Sequence, residues 1–183
     1  MKVLDIILAA ATELGIADEV NDYVSGGSEN AKADTENLLR AFNLVENELA
    51  LDYLPLRAEE EVETTTGAIE YSAFSRSAVR ILQITDTWGN ELEFKLFPDY
   101  VKTQCGKVRV CYTYTPTEKT FTDESEFHAL VSVRLFAYGI ASEFCLVSGR
   151  FEEAAIWDKK YKQAIAAAYR AKPVKKISSR RWV

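Results

Sequence analysis

The chain has 183 residues, of which 48% are hydrophobic, so it is long enough to bury one ordinary core. No apolar stretch approaches the roughly 20 residues of a membrane span, which excludes a transmembrane helix. The three cysteines, Cys105, Cys111 and Cys145, lack a CxxC spacing, which disfavours a disulfide framework and indicates a reducing compartment. We expect all three thiols to be buried or half-buried.

The N-terminal region predicts one helix followed by a polar segment. Residues 2–14 have the spacing of an amphipathic helix, and Gly15 is a suitable C-terminal cap. The segment 16–34 is polar and contains Gly26-Gly27. We expect it to be a loop that contacts a partner or orders only in part, with one short helical turn near Asp18–Tyr23.

A second helix is predicted between Asp34, as its N-cap, and Pro55, which ends it. One apolar stripe recurs at intervals of three and four residues: Leu38, Phe42, Val45 and Leu49. We assign Glu46 and Glu48 to the opposite face.

The apolar period changes to two after Leu56, which predicts strands. The runs 79–86 and 91–97 flank the sequence TWGN, and this pattern predicts a β-hairpin. A further strand covers 107–115, with weaker candidates at 62–66 and 68–72. The buried face of the strand 107–115 would consist of Val108, Val110, Tyr112 and Tyr114. These runs predict an antiparallel sheet of four to six strands with one packed face.

Two helices are predicted after Asp123, whose spacing to Glu126 is that of a capping box. The third helix would run from there to Gly149 with apolar residues around most of its circumference, so we expect it to be buried on several sides. Gly139 in its middle costs about 1 kcal/mol relative to alanine, which predicts a close contact there. The fourth helix would pack through the following residues: Phe151, Ala154, Tyr161, Ile165 and Ala168.

The predicted fold class is therefore α+β and mainly helical. It is a helix bundle with a long C-terminal helical hairpin, an inserted small antiparallel β domain and an extended C-terminal tail. The boundaries are N-terminal helices at 1–55, the β region at 56–120, the hairpin at 121–172 and the tail at 173–183, within one compact domain overall.

The sequence has no convergent set of reactive groups. There is one histidine, His128, and we interpret it as a half-exposed helix residue. Cys105 and Cys111 with His128 are an alternative metal site, but free thiols are the favoured interpretation. The acids of 58–63 are an alternative cation site, but a solvated face is the favoured interpretation. No Walker A, GxGxxG, GxSxG or HExxH pattern occurs. We therefore expect no catalytic, cofactor-binding or metal-binding residues and no enzymatic activity.

Charge is distributed unevenly along the chain. Residues 1–70 hold sixteen acids and four bases, a net of −12, whereas residues 71–183 hold twelve acids and eighteen bases, a net of +6. The segment 172–183 carries five bases, no acid and an apolar Trp-Val ending. Such a dipolar chain predicts docking between complementary charges, either with itself or with a larger body.

Two segments, LFAYGIASEFCLVSGRFEEAAIWDKKYKQAIAAAYR and AFNLVENELALDYLPLRAEE, carry a resemblance to a known family. Together with the order of elements, they resemble the head–tail connector proteins of tailed bacteriophages, also called adaptor or head-completion proteins. The resemblance covers most of the chain, although no segment in it is a diagnostic motif.

The resemblance implies a structural virion protein of the phage neck, assembled in the bacterial host cytoplasm. Such proteins form a ring, usually a dodecamer, that extends the DNA channel between the portal protein and a downstream tail or neck protein. The C-terminal segment would dock on the portal, where basic residues meet acids and a tryptophan fills an apolar pocket. The implied docking residues are Lys175, Lys176, Arg180, Arg181 and Trp182. Phe136, Ile140 and Phe144, on the apolar third helix, are candidates for the contact between subunits.

Two other functions remain open from the sequence. The first is a DNA-binding accessory protein of packaging, because terminal bases can contact phosphates. The second is a small enzyme of unrecognised type, based on His128 and the acidic clusters. No cofactor and no membrane partner is expected, and double-stranded DNA would be near the protein only as channel contents.

Overall fold

The computed structural model describes residues 1–127 and 131–170. Those residues form an α+β protein with five α-helices and two small antiparallel sheets. The chain divides into two compact units, and the boundaries between them fall after Val45 and after Glu118. We call residues 46–118 the β unit, and residues 1–45 together with those from Lys119 onward the helical unit.

Five helices account for about half of the fold. They are α1 (Val3–Leu14), α2 (Ala17–Val24), α3 (Lys32–Glu48), α4 (Val133–Val147) and α5 (Phe151–Arg170). The predicted first helix and its stop are confirmed, because Gly15 has a φ of 75° and its N–H donates back to Thr12 O. The turn expected near Asp18–Tyr23 is present as the longer helix α2. The expectation of a loop over 16–34 is wrong, because α2, a short 3₁₀ turn and the start of α3 occupy most of that segment.

The predicted start of the second helix, with Asp34 as N-cap, is three residues too late, because α3 begins at Lys32. A short 3₁₀ turn, Glu29–Ala31, leads directly into α3, and Ser28 caps that turn by accepting a hydrogen bond from Asn30 N. Asp34 therefore lies within the first turn of α3, where its charge opposes the helix dipole favourably.

The apolar stripe of α3 is confirmed, but one of its predicted polar positions is not. Leu38, Phe42, Val45 and Leu49 are all buried. Glu46 is buried as well, so its assignment to the opposite face is wrong. Position 46 lies one turn after Phe42, which places it beside the stripe.

The prediction that the third helix begins near Asp123 is wrong, because α4 begins only at Val133 with Ser132 as its N-cap. Residues 123–125 are held in a non-helical path by hydrogen bonds to the start of the chain. Val3 N donates to Asp123 O at 3.0 Å, and Ser125 N donates to Met1 O at 2.9 Å. The Asp123 carboxylate caps a turn instead, since it accepts from the Thr120 N–H and hydroxyl, which lowers its pKa.

The core of the helical unit is formed mainly by α1, α3, α4 and α5. α1 and α5 each pack against α4, and Phe42 stacks on Phe136 with ring centroids 5.5 Å apart. The apolar character of α4 around most of its circumference is confirmed, since ten of its fifteen residues are buried. Ser142 in α4 donates to Ala154 O in α5 at 3.1 Å, which joins the two helices near the turn between them.

One predicted member of the α5 stripe is exposed. Ala154, Tyr161 and Ile165 are buried, but Phe151 is 68% exposed. Phe151 is the first residue of α5, at the end of the helix–helix contact, and no helix within residues 1–127 and 131–170 covers it.

Asn43 anchors the chain where it returns from the β unit to the helical unit. Its side-chain amide donates to Lys119 O at 3.0 Å and accepts from Lys119 N at 2.7 Å. The Lys119 ammonium also pairs with the Glu126 carboxylate at 2.9 Å in a largely buried position. These contacts fix Lys119, where the chain re-enters the helical unit, to other residues of that unit.

The β unit contains six strands: β1 (Leu56–Thr64), β2 (Ala68–Glu70), β3 (Ala78–Asp86), β4 (Lys95–Leu96), β5 (Tyr100–Lys102) and β6 (Gly106–Tyr114). They form two three-stranded antiparallel sheets, with strand orders β1-β6-β3 and β2-β5-β4. The predicted buried face of β6 is confirmed. Residues from both sheets, among them Ile69, Val101 and Tyr112, form one shared core.

The predicted hairpin is confirmed only at its turn. Leu92 N donates to Ile84 O at 2.8 Å, so the chain does reverse after β3. The second run then leaves β3, and its residues Lys95–Leu96 pair with β5 in the other sheet. A tight turn, in which Phe97 N donates to Tyr100 O at 2.9 Å, connects β4 directly to β5, so these two strands pair with each other.

Candidate functional site

Most of the residues that the sequence assigned to function lie outside the part of the chain that the structure describes. This applies to His128 and to the whole docking segment, including Lys175, Lys176, Arg180, Arg181 and Trp182. Cys105 is exposed, contrary to expectation, whereas Cys111 is half-buried and Cys145 buried. Within residues 1–127 and 131–170, no three or more His, Cys, Asp or Glu side chains are grouped to hold a metal ion.

The three residues proposed from sequence as subunit contacts lie in the interior of the chain. Phe136 and Ile140 are fully buried and Phe144 is nearly so. Phe136 packs between the rings of Phe42 and Phe127 within the helical unit. Surfaces available to a partner must therefore be sought among other residues.

The turn between α4 and α5 presents an exposed apolar cluster. Leu146, Val147 and Phe151 are exposed, the last two by 64% and 68%. Gly149 permits the abrupt turn through a φ of 73°, which brings the end of α4 and the start of α5 together. Three large apolar side chains within six residues at one turn are typical of an interaction surface. We call these three residues the turn cluster.

Arg150 holds this turn in one conformation. Its guanidinium donates to Cys145 Sγ at 3.3 Å, lies over the Phe144 ring at 5.8 Å and pairs with Glu153 at 3.5 Å. These contacts link the last turn of α4 to the first turn of α5. The turn cluster is therefore carried on a supported backbone.

Trp88 is the most exposed large apolar residue described, at 85%. It lies at the tip of the turn after β3, which Asp86 braces by accepting from the backbone N–H groups of Trp88 and Asn90, each at 2.8 Å. The side-chain hydrogen bond from Asn90, with smaller contributions from backbone N–H groups, lowers the pKa of Asp86 against a weaker opposing effect of burial. An indole held in water on a braced turn has the properties of a binding anchor.

A cationic cleft opens among α1, α4 and α5 of the helical unit. Its volume is about 500 Å³, and it is lined by Glu13, Ser132, Arg134, Leu135, Tyr138, Lys160, Gln163 and Ala164. The Arg134 side chain hydrogen-bonds to the Tyr138 hydroxyl, and its guanidinium carbon lies 5.3 Å from the centre of the Tyr138 ring. The Lys160 ammonium lies 3.8 Å from the centre of the Trp157 ring. Aromatic rings thus position both positive charges.

A polar cluster in the β unit joins three separate segments. The Glu60 carboxylate in β1 accepts hydrogen bonds from the Ser75 N–H, the Ser75 hydroxyl and the hydroxyl of buried Tyr112 in β6. Burial raises the pKa of Glu60, but these hydrogen bonds outweigh it and leave the pKa below its ordinary value. Burial and the bond to Glu60 raise the pKa of Tyr112. With its acceptor and donors mutually satisfied, this cluster stabilises the sheet.

No protein-family model matches the sequence, and a search of curated proteins finds no match. None of the helices within residues 1–127 and 131–170 is long and apolar enough to cross a membrane.

Sequence reasoning missed the turn cluster, the Trp88 anchor and the cationic cleft. The exposure of Trp88 could have been predicted from the sequence, because a tryptophan in the centre of a TWGN turn has no strand face on which to be buried. The cationic cleft could not have been predicted in this way, because Glu13 and Arg134 are brought together only by the packing of α1 against α4.

Proposed function

We propose that the protein is a structural virion component, a ring-forming adaptor between the portal and the tail of a tailed bacteriophage. The proposal rests on the resemblance of residues 41–60 and 135–170 to such connectors. In this proposal α4 and α5 are the long C-terminal helical hairpin of that family. Residues 173–183 are the extended tail that docks on the portal, and the assembled ring continues the DNA channel.

The observation that carries the proposal is the exposure of large apolar side chains at two braced turns. The turn cluster and Trp88 lie in different compact units, so one chain offers two separate anchors. Exposed aromatic side chains on ordered backbone are the usual centres of protein–protein interfaces. Two such anchors suit a protein that joins a portal on one side to a tail component on the other.

The docking role of the tail is tested by truncation. The full chain and a chain lacking residues 173–183 are each mixed with the portal protein of the same virus. Binding is measured by co-sedimentation, and the complexes are imaged by negative-stain electron microscopy. We expect the full chain to add a ring to the portal, and the truncated chain to keep its helical circular dichroism but lose portal binding. Normal attachment of the truncated chain would contradict the docking role.

The variant Trp88→Ala tests the anchor in the β unit. Because the indole makes few contacts within its own chain, we expect stability to change by less than about 0.5 kcal/mol. Binding to one of the two neck partners should weaken by tenfold or more, as is usual when a central aromatic anchor is lost. Undiminished binding to both partners would remove Trp88 from the proposed interfaces.

DNA binding distinguishes the alternative function. A packaging accessory protein should bind double-stranded DNA with an affinity that falls steeply as salt rises. The adaptor proposed here should show no such binding as an isolated chain. Strong, salt-dependent binding by the full chain would favour the accessory role.

A further inference from the structure

The cationic cleft of the helical unit contains two positive charges without ion-pair partners in the described part of the chain. Neither Arg134 nor Lys160 lies within 4.0 Å of a carboxylate among residues 1–127 and 131–170. Glu13 lines the same cleft, so its net charge is +1. Cations that are fixed by aromatic rings and left open to solvent form a preorganised site for an anion.

Arg134 lies where a helix alone would not favour a positive charge. It is in the first turn of α4, where the helix dipole is positive and stabilises anions. An anion bound there would gain from the guanidinium, the ammonium and the dipole together. A ligand bearing carboxylates would thus satisfy all three features of the cleft.

The same unit carries an acidic surface that matches the cleft. α2 and the 3₁₀ turn after it, residues 17–31, contain four acids and no base. A second cleft of about 410 Å³ is lined by Glu19, Asp22, Ser28, Asn30, Ala31 and Asp34. Glu19 and Asp34 have no ion-pair partner in the described part of the chain. We call residues 17–34, which hold five acids and one base, the acidic surface.

We propose that the cationic cleft of one copy binds the acidic surface of a second copy. Charge complementarity identifies the occupant, because the chain itself supplies the carboxylates that the cleft requires. The contact joins two different surfaces, so each copy has one of each to offer and the contact can repeat from copy to copy, as in a ring. The inference rests on the proposed ring and specifies which surfaces meet in it.

A protein carboxylate fits this cleft better than a nucleic-acid backbone. The chain has a net charge of −6, and Glu13 lies in the cleft wall, so a continuous run of phosphates would meet repulsion. A single carboxylate brings one negative charge into the cleft, which Arg134 and Lys160 together exceed. DNA binding by the cleft is therefore the competing outcome of the test.

The contact can be tested by cross-linking between two variants that leave every charge in place. Gln163→Cys labels the cationic cleft and Asn30→Cys labels the acidic surface, both on a Cys105→Ser background because Cys105 is exposed. The two variants, made with tags of different size, are mixed and treated with a short bismaleimide. We expect a cross-linked pair from the mixture. A matched mixture of Asn30→Cys with Val79→Cys, an exposed position in the β unit, should give none.

Charge reversal tests the physical cause of the contact. Arg134→Glu with Lys160→Glu should abolish the cross-link and raise the dissociation constant for self-association about tenfold or more. Adding Glu19→Lys and Asp34→Lys to the variant with the reversed cleft should restore the dissociation constant to within about threefold of that of the original chain. Raising the salt concentration should weaken the original contact, because the charges are exposed.

Three results would overturn the inference. The first is no cross-link in the mixture, and the second is a cross-link that survives charge reversal. The third is that the charge-reversed chain loses binding to double-stranded DNA while its self-association is unchanged. Failure of the adaptor proposal has a different readout, because the full chain would then not bind the portal even if copies cross-link as expected. A chain that binds the portal but does not cross-link through the cleft would overturn the inference and leave the adaptor proposal standing.

Discussion

A Cβ atom added to Gly139 would lie 2.9 Å from Cγ1 of Val45, closer than two side-chain carbons normally approach. The same atom would lie 3.0 Å from Cε2 of Tyr161. Glycine in the middle of α4 therefore lets α3 and α5 approach its backbone. The close contact that its mid-helix position predicted is confirmed, and it is made by side chains of two other helices.

Gly139→Ala should lower the free energy of unfolding by about 1 kcal/mol. Overpacking costs about 1–3 kcal/mol, which exceeds the gain of about 1 kcal/mol in helix propensity. The measurement is the thermal midpoint followed by circular dichroism at a helical wavelength. The double variant Val45→Ala/Gly139→Ala removes the contacts with Val45 but keeps the one with Tyr161, so only part of the cost of the added methyl should disappear. A Gly139→Ala chain more stable than the original would show that the contact is not tight.

Glu60→Gln should destabilise the β unit by about 1–3 kcal/mol, because it weakens the acceptor on which the buried Tyr112 hydroxyl depends. Urea unfolding gives the change in free energy. The matched control is Glu59→Gln on the same strand, whose side chain is exposed and whose replacement should matter by less than about 0.5 kcal/mol. Equal effects of the two substitutions would mean that the hydrogen-bonded cluster does not stabilise the sheet.

The contribution of Glu60 should depend on pH in one direction. Because its pKa is lowered on folding, the folded state binds fewer protons, and the stabilisation is fully present above the unfolded pKa of about 4.5. It is then lost as pH falls through the lower folded pKa. The difference in thermal midpoint between the original chain and Glu60→Gln should be constant from pH 7 to about pH 5 and shrink below about pH 4.5. A difference that grows on acidification would reverse the assigned sign.

The thiols should differ in reactivity in the native chain. Cys105 is exposed and should react with maleimide rapidly, whereas burial raises the pKa of Cys111 and Cys145 and lowers their thiolate fraction. Mass spectrometry should therefore find one fast modification per chain, and three after denaturation. Cys105→Ser should remove the fast event. Rapid labelling of Cys145 in the native chain would contradict its burial.

The sequence by itself determined the features that depend on neighbouring residues. Gly15 and Gly149 end helices through their own backbone freedom, and the stripe of α3 follows from spacing alone. The alternation of β6 predicted its buried face for the same reason. The portal-docking role of the tail was implied by the family resemblance, and it stays a prediction.

Only the tertiary structure decided where distant segments meet. α4 begins at Val133 because backbone bonds from the N-terminus hold the residues around Asp123 in another conformation. The cationic cleft depends on Arg134 and Lys160, from two different helices, both lying beside the Tyr138 ring. Phe151 is exposed, although its spacing suits burial, because no other helix in the described part of the chain covers that end of α5. Periodicity defines a face within one segment, but burial and charge pairing depend on which other segments pack against that face.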